Sequence, residues 1–290
     1  MQNWTVNVIL AIVGAVVPML AFGLVGETIV HWLGKVGLPV RLILPAVLGI
    51  PYVLVSYPSI RLSWLVLYLG LPVVIAIFLW RARLVDCEQK GNWRDFAILL
   101  FLGLAVDLRW FEPAWPVPYH VVNKLILLDS GLYGFLVIRQ LSNVGFDLQI
   151  RLTDLKVGLR ELFFCAPIVV PLGLLLGFLH FRPHAPAPIT ALATLAFTFL
   201  GIAVPEEIFF RGWMQNLLGR RTGRHAALLI TAVLFGLAHF NRISTHFNWR
   251  YVLLATIAGI FYGRAWRDNH RIAASAVTHS LVDTIWTLWL

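Results

Sequence analysis

Ionisable residues interrupt an apolar segment at PEEIFFRGWMQNLL. The adjacent carboxylates Glu206 and Glu207 are followed by Arg211, four residues after the second. Such groups are costly inside a membrane span, so each is a candidate functional residue. The spacing of four puts Glu207 and Arg211 on one helix face, where they can pair, while Glu206 points about 100° away. One carboxylate can thus be held by Arg211 while the other faces a cavity. The alternative is a helix end among lipid headgroups.

Histidine occurs in two further apolar segments. LLFGLAHF places His239 in a predicted span, and THSLVD places His279 and Asp283 four residues apart. That spacing puts the second pair on one helix face. Taken separately, His239 could be a structural residue of a helical bundle, and a bond between His279 and Asp283 could simply tie two spans together.

The spacing of the three segments predicts that they meet at one depth. The basic turn RRTGR at 220–224 is expected to join two antiparallel helices. Glu207 and His239 are equidistant from its centre, so both lie about 20 Å from the turn at 1.5 Å per residue. The last span also starts from a basic loop, which lets His279 and Asp283 reach the same level. Carboxylates and imidazoles in one layer predict a hydrolytic site.

The composition excludes a soluble fold. Of the 290 residues, 59% are hydrophobic and 13% are charged, and 12 Trp and 19 Phe make the chain too apolar for disorder. A membrane-spanning helix needs about 20 apolar residues. Runs of this kind lie near residues 5–26, 40–56, 62–80, 96–111, 121–138, 162–180, 189–218, 226–241, 250–266 and 272–290. We therefore predict an all-α, polytopic transmembrane helical bundle of about eight to ten spans, with the site between C-terminal helices.

The net charge of +9 is explained by membrane topology. Most Lys and Arg residues lie in four alternate loops, at 81–95, at 139–161, after residue 210 and at 264–271. Short cytoplasmic loops of membrane proteins carry such an excess of positive charge. We expect these four loops to face the cytoplasm, and we expect no nucleic-acid partner.

At these residues the chain resembles the CPBP family of intramembrane proteases, which includes the CAAX prenyl endopeptidases and the Abi bacteriocin-immunity proteins. The family pattern EExxxR, FxxxH and HxxxN or HxxxD reads here EEIFFR, FGLAH and HSLVD, in that order. The resemblance covers roughly residues 160–290. It divides the chain into N-terminal transmembrane helices of unassigned role at 1–158 and a protease-like core at 159–290.

The resemblance implies an intramembrane endopeptidase that hydrolyses a peptide bond with a glutamate-activated water. Glu206 would be the general base, Glu207 and Arg211 would support it, and His239 would help to hold the nucleophile. Such chemistry needs a water, a base and hydrogen-bond donors where negative charge develops. No Ser or Cys nucleophile is required.

The same resemblance implies that His279 and residue 283 stabilise the oxyanion. The CAAX endopeptidases have Asn where this chain has Asp283. An ionised Asp cannot donate a hydrogen bond. Asp283 must therefore be protonated, or it must orient His279 instead.

Metal dependence is a separate question. Glu206, His239 and His279 match the ligand count of a catalytic zinc centre. The sequence has no HExxH helix, however, and the ligands would come from three spans. The CAAX branch resembles a metal-independent glutamate protease, so we expect no cofactor and keep zinc as the alternative.

The expected partners are a membrane-associated peptide or protein substrate and the lipid bilayer. The compact architecture and the lack of a nuclear or organellar signal favour a bacterial inner membrane. Two other functions also use buried Glu, His and Asp: a proton- or ion-coupled transporter, and a non-catalytic immunity or scaffold member of the same fold. A transporter would predict broken helices in two corresponding halves, whereas all three motifs fall in the C-terminal half.

Overall fold

The computed structural model describes residues 6–57, 60–115, 120–183, 185–242 and 246–290. Within these ranges all regular structure is helical, which confirms the predicted all-α bundle. Contacts group the chain into two units, Met1–Ser142 and Asn143–Leu290. The functional boundary predicted at residues 158 and 159 lies within a helix of the second unit and stays a prediction.

The first unit is organised around one long apolar helix, α4, which packs against α5 and α6. Some of its buried polar groups are paired across elements. The guanidinium of Arg139 lies 2.6 Å from Asp86 and 2.8 Å from Asp95, and Tyr68 donates to Asn123 over 2.8 Å. The helices are α1 (Val6–Gly34), α2 (Leu38–Ile43), α3 (Ile50–Ser56), α4 (Leu62–Val85), α5 (Trp93–Asp107) and α6 (His120–Leu132), with 3₁₀ turns at Leu44–Gly49 and Glu112–Ala114 and a π-helix at Tyr133–Ile138.

The second unit contains every residue of the predicted site. Within it, α12 packs against α7, α11 and α13, and α13 also packs against α7 and α8. Its helices are α7 (Leu152–Leu175), α8 (Pro188–Thr198), α9 (Val204–Glu207), α10 (Asn216–Thr222), α11 (Arg224–Leu237), α12 (Trp249–Asn269) and α13 (Ile272–Trp289).

Two π-helical segments join α8, α9 and α10 into one continuous helix, Pro188–Thr222. The first, Phe199–Ala203, comes directly before α9, and the second, Ile208–Gln215, directly follows it. Pro205 accounts for the first, because proline lacks the amide that would bond one α-helical turn back and its ring clashes there. Single π turns inside helices are frequent at functional sites. Here they enclose the short α9, which ends in the two adjacent glutamates.

Length and composition make this an integral, multi-pass membrane protein. The described residues include five helical stretches long and apolar enough to cross a membrane, Val6–Gly34, Leu38–Ser56, Leu62–Val85, Leu152–Leu175 and Pro188–Thr222. The remaining predicted spans correspond to α5, α6 and α11, which are shorter, and to α12 and α13, which carry more polar residues. On α7, the exposed side chains of Leu159, Phe163 and Leu175 form the apolar outer surface that a lipid environment requires.

Close backbone packing joins α11 to α12. At Gly236 on α11, an added Cβ would collide with the hydroxyl of Thr256 and lie 2.5 Å from the carbonyl of Val252, both on α12. Membrane helices use small residues in this way to approach closely. The approach fixes the end of α11, from which His239 extends, against the middle helix of the unit.

Asp154 ties the start of α7 to the turn between α12 and α13. Its buried carboxylate accepts from Nε of Arg271 over 2.8 Å, from the side chain of Asn269 over 3.0 Å and from the backbone amide of Arg151 over 2.8 Å. Arg271 also donates to Asp147 over 2.8 Å. Because α13 carries two site residues, this cluster sets where that helix begins relative to α7.

Replacing Arg271 by Gln should lower the free energy of unfolding by about 3 kcal/mol, because the buried carboxylate of Asp154 would lose its cation. The matched control is Arg151→Gln, whose side chain is 60% exposed and, among the described residues, forms an ion pair only with Asp147. That change should cost less than about 1 kcal/mol. Chemical unfolding of both purified variants in detergent measures the difference, and equal losses would contradict the role of Arg271.

The difference in the free energy of unfolding between the wild type and Arg271→Gln should also depend on pH. Burial disfavours the ionised form of Asp147, but the hydrogen bond from Arg271, the bond from the backbone amide of Gln149 and the charges of Arg271 and Arg151 together outweigh it, so the pKa of Asp147 is lowered. A lowered folded-state pKa gives stability that is present above the unfolded value of about 3.9 and is lost as the pH falls through the folded value. The difference between the two proteins should therefore narrow below about pH 4.

Candidate active site

Glu207 is the centre of the contacts in the site. Its side chain is fully buried, with Oε2 at 3.1 Å from Nε of Arg211 and Oε1 at 2.8 Å from Nδ1 of His279. The hydroxyl of Ser275 donates to Oε2 as well. The predicted pairing of Glu207 with Arg211 is present, and both oxygens of this carboxylate are occupied.

Arg211 is held from several sides inside the bundle. It is fully buried, and its Nη2 donates to the backbone carbonyl of Gly259 on α12 over 3.0 Å. The guanidinium carbon lies 4.7 Å from the ring centre of Phe235 on α11, within the range of a cation–π contact. Arg211 therefore links the long helix to both α11 and α12 while it neutralises Glu207.

Glu206, next in the chain, has a different environment. Its side chain is 22% exposed, and among the described residues its buried Oε2 has no hydrogen-bond partner. Nε2 of His279 lies 3.9 Å from Oε2, and Nη2 of Arg242 lies 4.0 Å from Oε1. Both distances are too long for hydrogen bonds. Glu206 thus has charged neighbours but keeps a carboxylate oxygen available to a ligand.

His239 lies beyond the end of its helix. The sequence predicted a span over 226–241, but α11 ends at Leu237 and His239 follows in a turn. Its Nδ1 lies 2.7 Å from the carbonyl oxygen of Phe235, which can only accept, so Nδ1 carries the proton. In the neutral ring, Nε2 is therefore left as the acceptor. The ring packs between Phe235 and Tyr251, with centres 4.9 and 4.7 Å away.

His279 is fixed by contacts at both ring nitrogens and on its face. Besides the bond from Nδ1 to Glu207, Nε2 lies 3.5 Å from Oδ2 of Asp283, one helical turn along α13. The ring stacks on Tyr262 of α12, with centres 4.5 Å apart and planes at 14°. The predicted proximity of His279 and Asp283 is present, and their contact is longer than that between His279 and Glu207.

An apolar cavity of about 80 Å³ adjoins these groups. His239, His279 and Asp283 form part of its wall. The space is enough for about two water molecules. Its apolar wall includes Cys165 and Val169 on α7, Leu254 and Ala258 on α12, and Val282 and Trp286 on α13. The polar groups of the site thus face a space bounded mostly by hydrocarbon, where hydrogen bonds and charges act more strongly than in water.

Sequence reasoning missed two residues that contact the site. Ser275 precedes His279 by four residues, so the helical repeat alone would have placed it on the same face of α13. Tyr262 gives no such signal, because it is one aromatic residue among many in an apolar segment. The hydroxyl of Ser275 has one proton and lies near both Glu207 and the carbonyl of Tyr262, so these two acceptors compete for it.

A zinc centre is the alternative to a metal-free site. It would use Glu206, His239 and His279 as ligands. In the described part of the chain, no three His, Cys, Asp or Glu side chains are grouped so that they could hold a metal ion. The expectation that the site needs no metal stays a prediction.

A comparison with protein families agrees with this geometry. Residues 187–285 match the model of a family described as type II CAAX prenyl endopeptidase Rce1-like. Residues 187–285 are thus similar to the CAAX endopeptidases. The match extends from the start of α8 into α13 and includes all six predicted site residues. Neither a curated protein nor a solved structure matches the chain. The match supports, at the level of the family, an intramembrane CAAX-type endopeptidase with a membrane-associated protein substrate.

Within the segment that matches this family, Arg211→Met should lower the free energy of unfolding by about 3 to 5 kcal/mol, because it leaves Glu207 charged, buried and without its cation. The control Arg220→Met removes an arginine of α10 that donates to Asn216 on the same long helix, and it should cost less than about 1 kcal/mol. Unfolding in detergent measures both. The double variant Glu207→Gln with Arg211→Met should recover part of the loss, and a fully stable Arg211→Met would contradict the pair.

Proposed function

We propose that Glu206 activates the water that hydrolyses a peptide bond of a membrane-associated substrate. The observation that carries this proposal is the contrast between two adjacent carboxylates. Glu207 is occupied by Arg211, His279 and Ser275, whereas Oε2 of Glu206 has no hydrogen-bond partner among the described residues. A general base needs an oxygen that can reach a proton of the attacking water. Glu206 meets this requirement, and Glu207 acts as a positioning residue.

His239 is proposed to hold the same water. Because its Nδ1 donates to the carbonyl of Phe235, Nε2 of the neutral ring can accept a hydrogen bond from the water. The other O–H of the same water donates to Glu206. Glu206 and His239 also interact electrostatically, which supports their acting on one molecule. As the water oxygen bonds to the substrate carbonyl carbon, Glu206 takes its proton. The same proton then passes to the leaving amine as the C–N bond breaks.

His279 is proposed to stabilise the oxyanion. Its Nδ1 lies against the carboxylate of Glu207, whereas its Nε2 lies 3.5 Å from Asp283, which is long for a hydrogen bond, so the doubly protonated ring can donate its Nε2 proton to the oxyanion. A preorganised donor of this kind lowers the barrier where negative charge develops. Of the two roles left open for Asp283, the 3.5 Å contact with Nε2 favours orientation of His279. Stacking on Tyr262 keeps the ring in place during the reaction.

The setting of this reaction follows from the charge distribution. We place the protein in a bacterial inner membrane, with its four basic loops on the cytoplasmic side. The apolar wall of the cavity suits a substrate segment that is itself apolar. Proton- or ion-coupled transport has no comparable support, since the family match points to hydrolysis.

Glu206→Gln should reduce cleavage at least about 100-fold, because the amide keeps the shape of the side chain but cannot act as a base. Peptide termini in membranes from cells with wild-type or variant protein measure the activity and identify the substrate. The matched control is Glu207→Gln, one residue along. It should lower the thermal stability in detergent, whereas Glu206→Gln should leave the stability near that of the wild type.

Three results would contradict this assignment. If cells carrying Glu206→Gln produce the wild-type termini at equal protein levels, Glu206 is not the base. If wild type and variant both produce no new termini, the chain is a non-catalytic member of its family. Loss of stability in Glu206→Gln would show that Glu206, like Glu207, holds the fold.

We also propose that the reaction needs no metal. Incubation of the purified protein with EDTA or 1,10-phenanthroline, followed by removal of the chelator, should leave cleavage of the identified substrate within about twofold of the untreated rate. Zinc added back should not raise that rate. A loss of activity that zinc restores would instead favour the alternative ligand set of Glu206, His239 and His279.

A further inference from the structure

A polar pocket lies away from the active site, at one end of the second unit. Its volume is about 350 Å³, and three helices contribute to it, the first turns of α7, the start of α11 and the end of α12. All three positions fall in loops, or next to loops, that the charge distribution predicts to be cytoplasmic. The lining residues are Arg160, Glu161, Arg224, Arg264, Arg267 and Asp268. None of them takes part in the proposed hydrolysis.

Two of the four arginines are already paired with carboxylates. Glu161 is fully buried, with Nη2 of Arg160 at 2.8 Å and Nε of Arg264 at 3.0 Å on its two oxygens. Arg160 also lies 3.3 Å from Asp268. These contacts hold both guanidinium groups in fixed positions at the pocket, and they use the carboxylates that line it.

The other two arginines carry the excess charge. Among the described residues, no carboxylate lies within ion-pair distance of Arg224 or Arg267, and the buried Nη1 of Arg267 has no hydrogen-bond partner. Arg267 is also repelled by the charges of Arg224 and Arg264. A buried donor without a partner costs free energy, and so does like charge held together. An anion bound in the pocket would accept from the unpartnered donor and would also reduce the repulsion between the arginines.

The chemistry of the lining residues specifies the class of anion. Guanidinium groups present planar pairs of N–H donors that match the oxygens of a phosphate and bind them in bidentate fashion. A carboxylate would use fewer of the donors that several arginines offer. The expected depth also agrees, because basic loops next to membrane helices lie at the level of the lipid headgroups.

We propose that this pocket binds the phosphate group of an anionic ligand, with Arg224 and Arg267 contacting the phosphate and with Arg160 and Arg264 completing the site. Two sources share this chemistry, the headgroup of an anionic phospholipid and a soluble phosphate compound. The bound anion would join α7, α11 and α12 at the end of the unit away from the cavity. It would thus stabilise the three helices that surround the active site.

The test uses the purified full-length chain in a neutral detergent. Its unfolding temperature is measured while phosphatidylglycerol, phosphatidylcholine or inorganic pyrophosphate is added, since a ligand that binds the folded state stabilises it. We expect phosphatidylglycerol or pyrophosphate to raise the unfolding temperature and phosphatidylcholine to have no effect. A response to phosphatidylglycerol alone assigns the site to a lipid headgroup, and a response to pyrophosphate assigns it to a phosphate group from either source.

Two double variants separate the pocket from general charge attraction. Arg224→Gln with Arg267→Gln should require at least about tenfold more ligand for the same stabilisation, a loss equivalent to about 1.4 kcal/mol of binding free energy. Arg220→Gln with Arg221→Gln removes the same charge from the neighbouring turn, outside the pocket, and should respond like the wild type. Equal weakening in both double variants, or no response of the wild type to either phosphate compound, would overturn the proposal.

The stability of the pocket double variant, Arg224→Gln with Arg267→Gln, is also measured without ligand. Removing two mutually repelling charges should leave the unliganded pocket variant at least as stable as the wild type. If that variant does not fold, Arg267→Lys serves in its place, because it keeps the charge but loses the planar pair of donors. It should weaken ligand binding severalfold, and wild-type binding by Arg267→Lys would contradict phosphate recognition by this side chain.

Discussion

The buried contact between Glu207 and Arg211 is the interaction on which the site depends. A lone carboxylate or guanidinium in a bilayer is expensive, and each group here makes the other tolerable. Once paired, Glu207 still has an oxygen that bonds His279, so one neutralised pair orients the imidazole on α13. Arg211 meanwhile reaches the carbonyl of Gly259 on α12. The pair thus fixes the relative positions of the long helix, α12 and α13, and Glu206 makes none of these contacts.

This division of labour explains why two adjacent glutamates are useful. A base must keep an oxygen available for water, but an available buried carboxylate contributes nothing to stability. Placing the structural contacts on Glu207 lets Glu206 remain without a hydrogen-bond partner among the described residues. Adjacent residues of an α-helix point about 100° apart, which separates the two side chains. A π-helical segment lies on either side of α9 in the long helix.

Much of the fold and part of the site could be predicted from sequence because they depend on local spacing. Apolar length located a helix near each proposed span, and spacings of four located the contacts of Glu207 with Arg211 and of His279 with Asp283. The bond between Glu207 and His279 joins distant segments, so no periodicity reveals it. Hydropathy also could not show that α11 ends before His239, since a turn of apolar residues resembles a continuing helix. The roles of the residues stay predictions.

The two charge clusters of the second unit differ in how their charges balance, and this difference separates their functions. In the active site, the charges on Glu207, Arg211 and His279 are matched by direct contacts inside the bundle, and the spare group is an acid. In the pocket formed by α7, α11 and α12, the carboxylates are used and the spare groups are arginines. A spare carboxylate near His279 suits proton transfer, whereas spare guanidinium groups next to loops expected at the level of the headgroups suit an anion that stays bound. Local charge balance thus distinguishes a site for chemistry from a site for attachment.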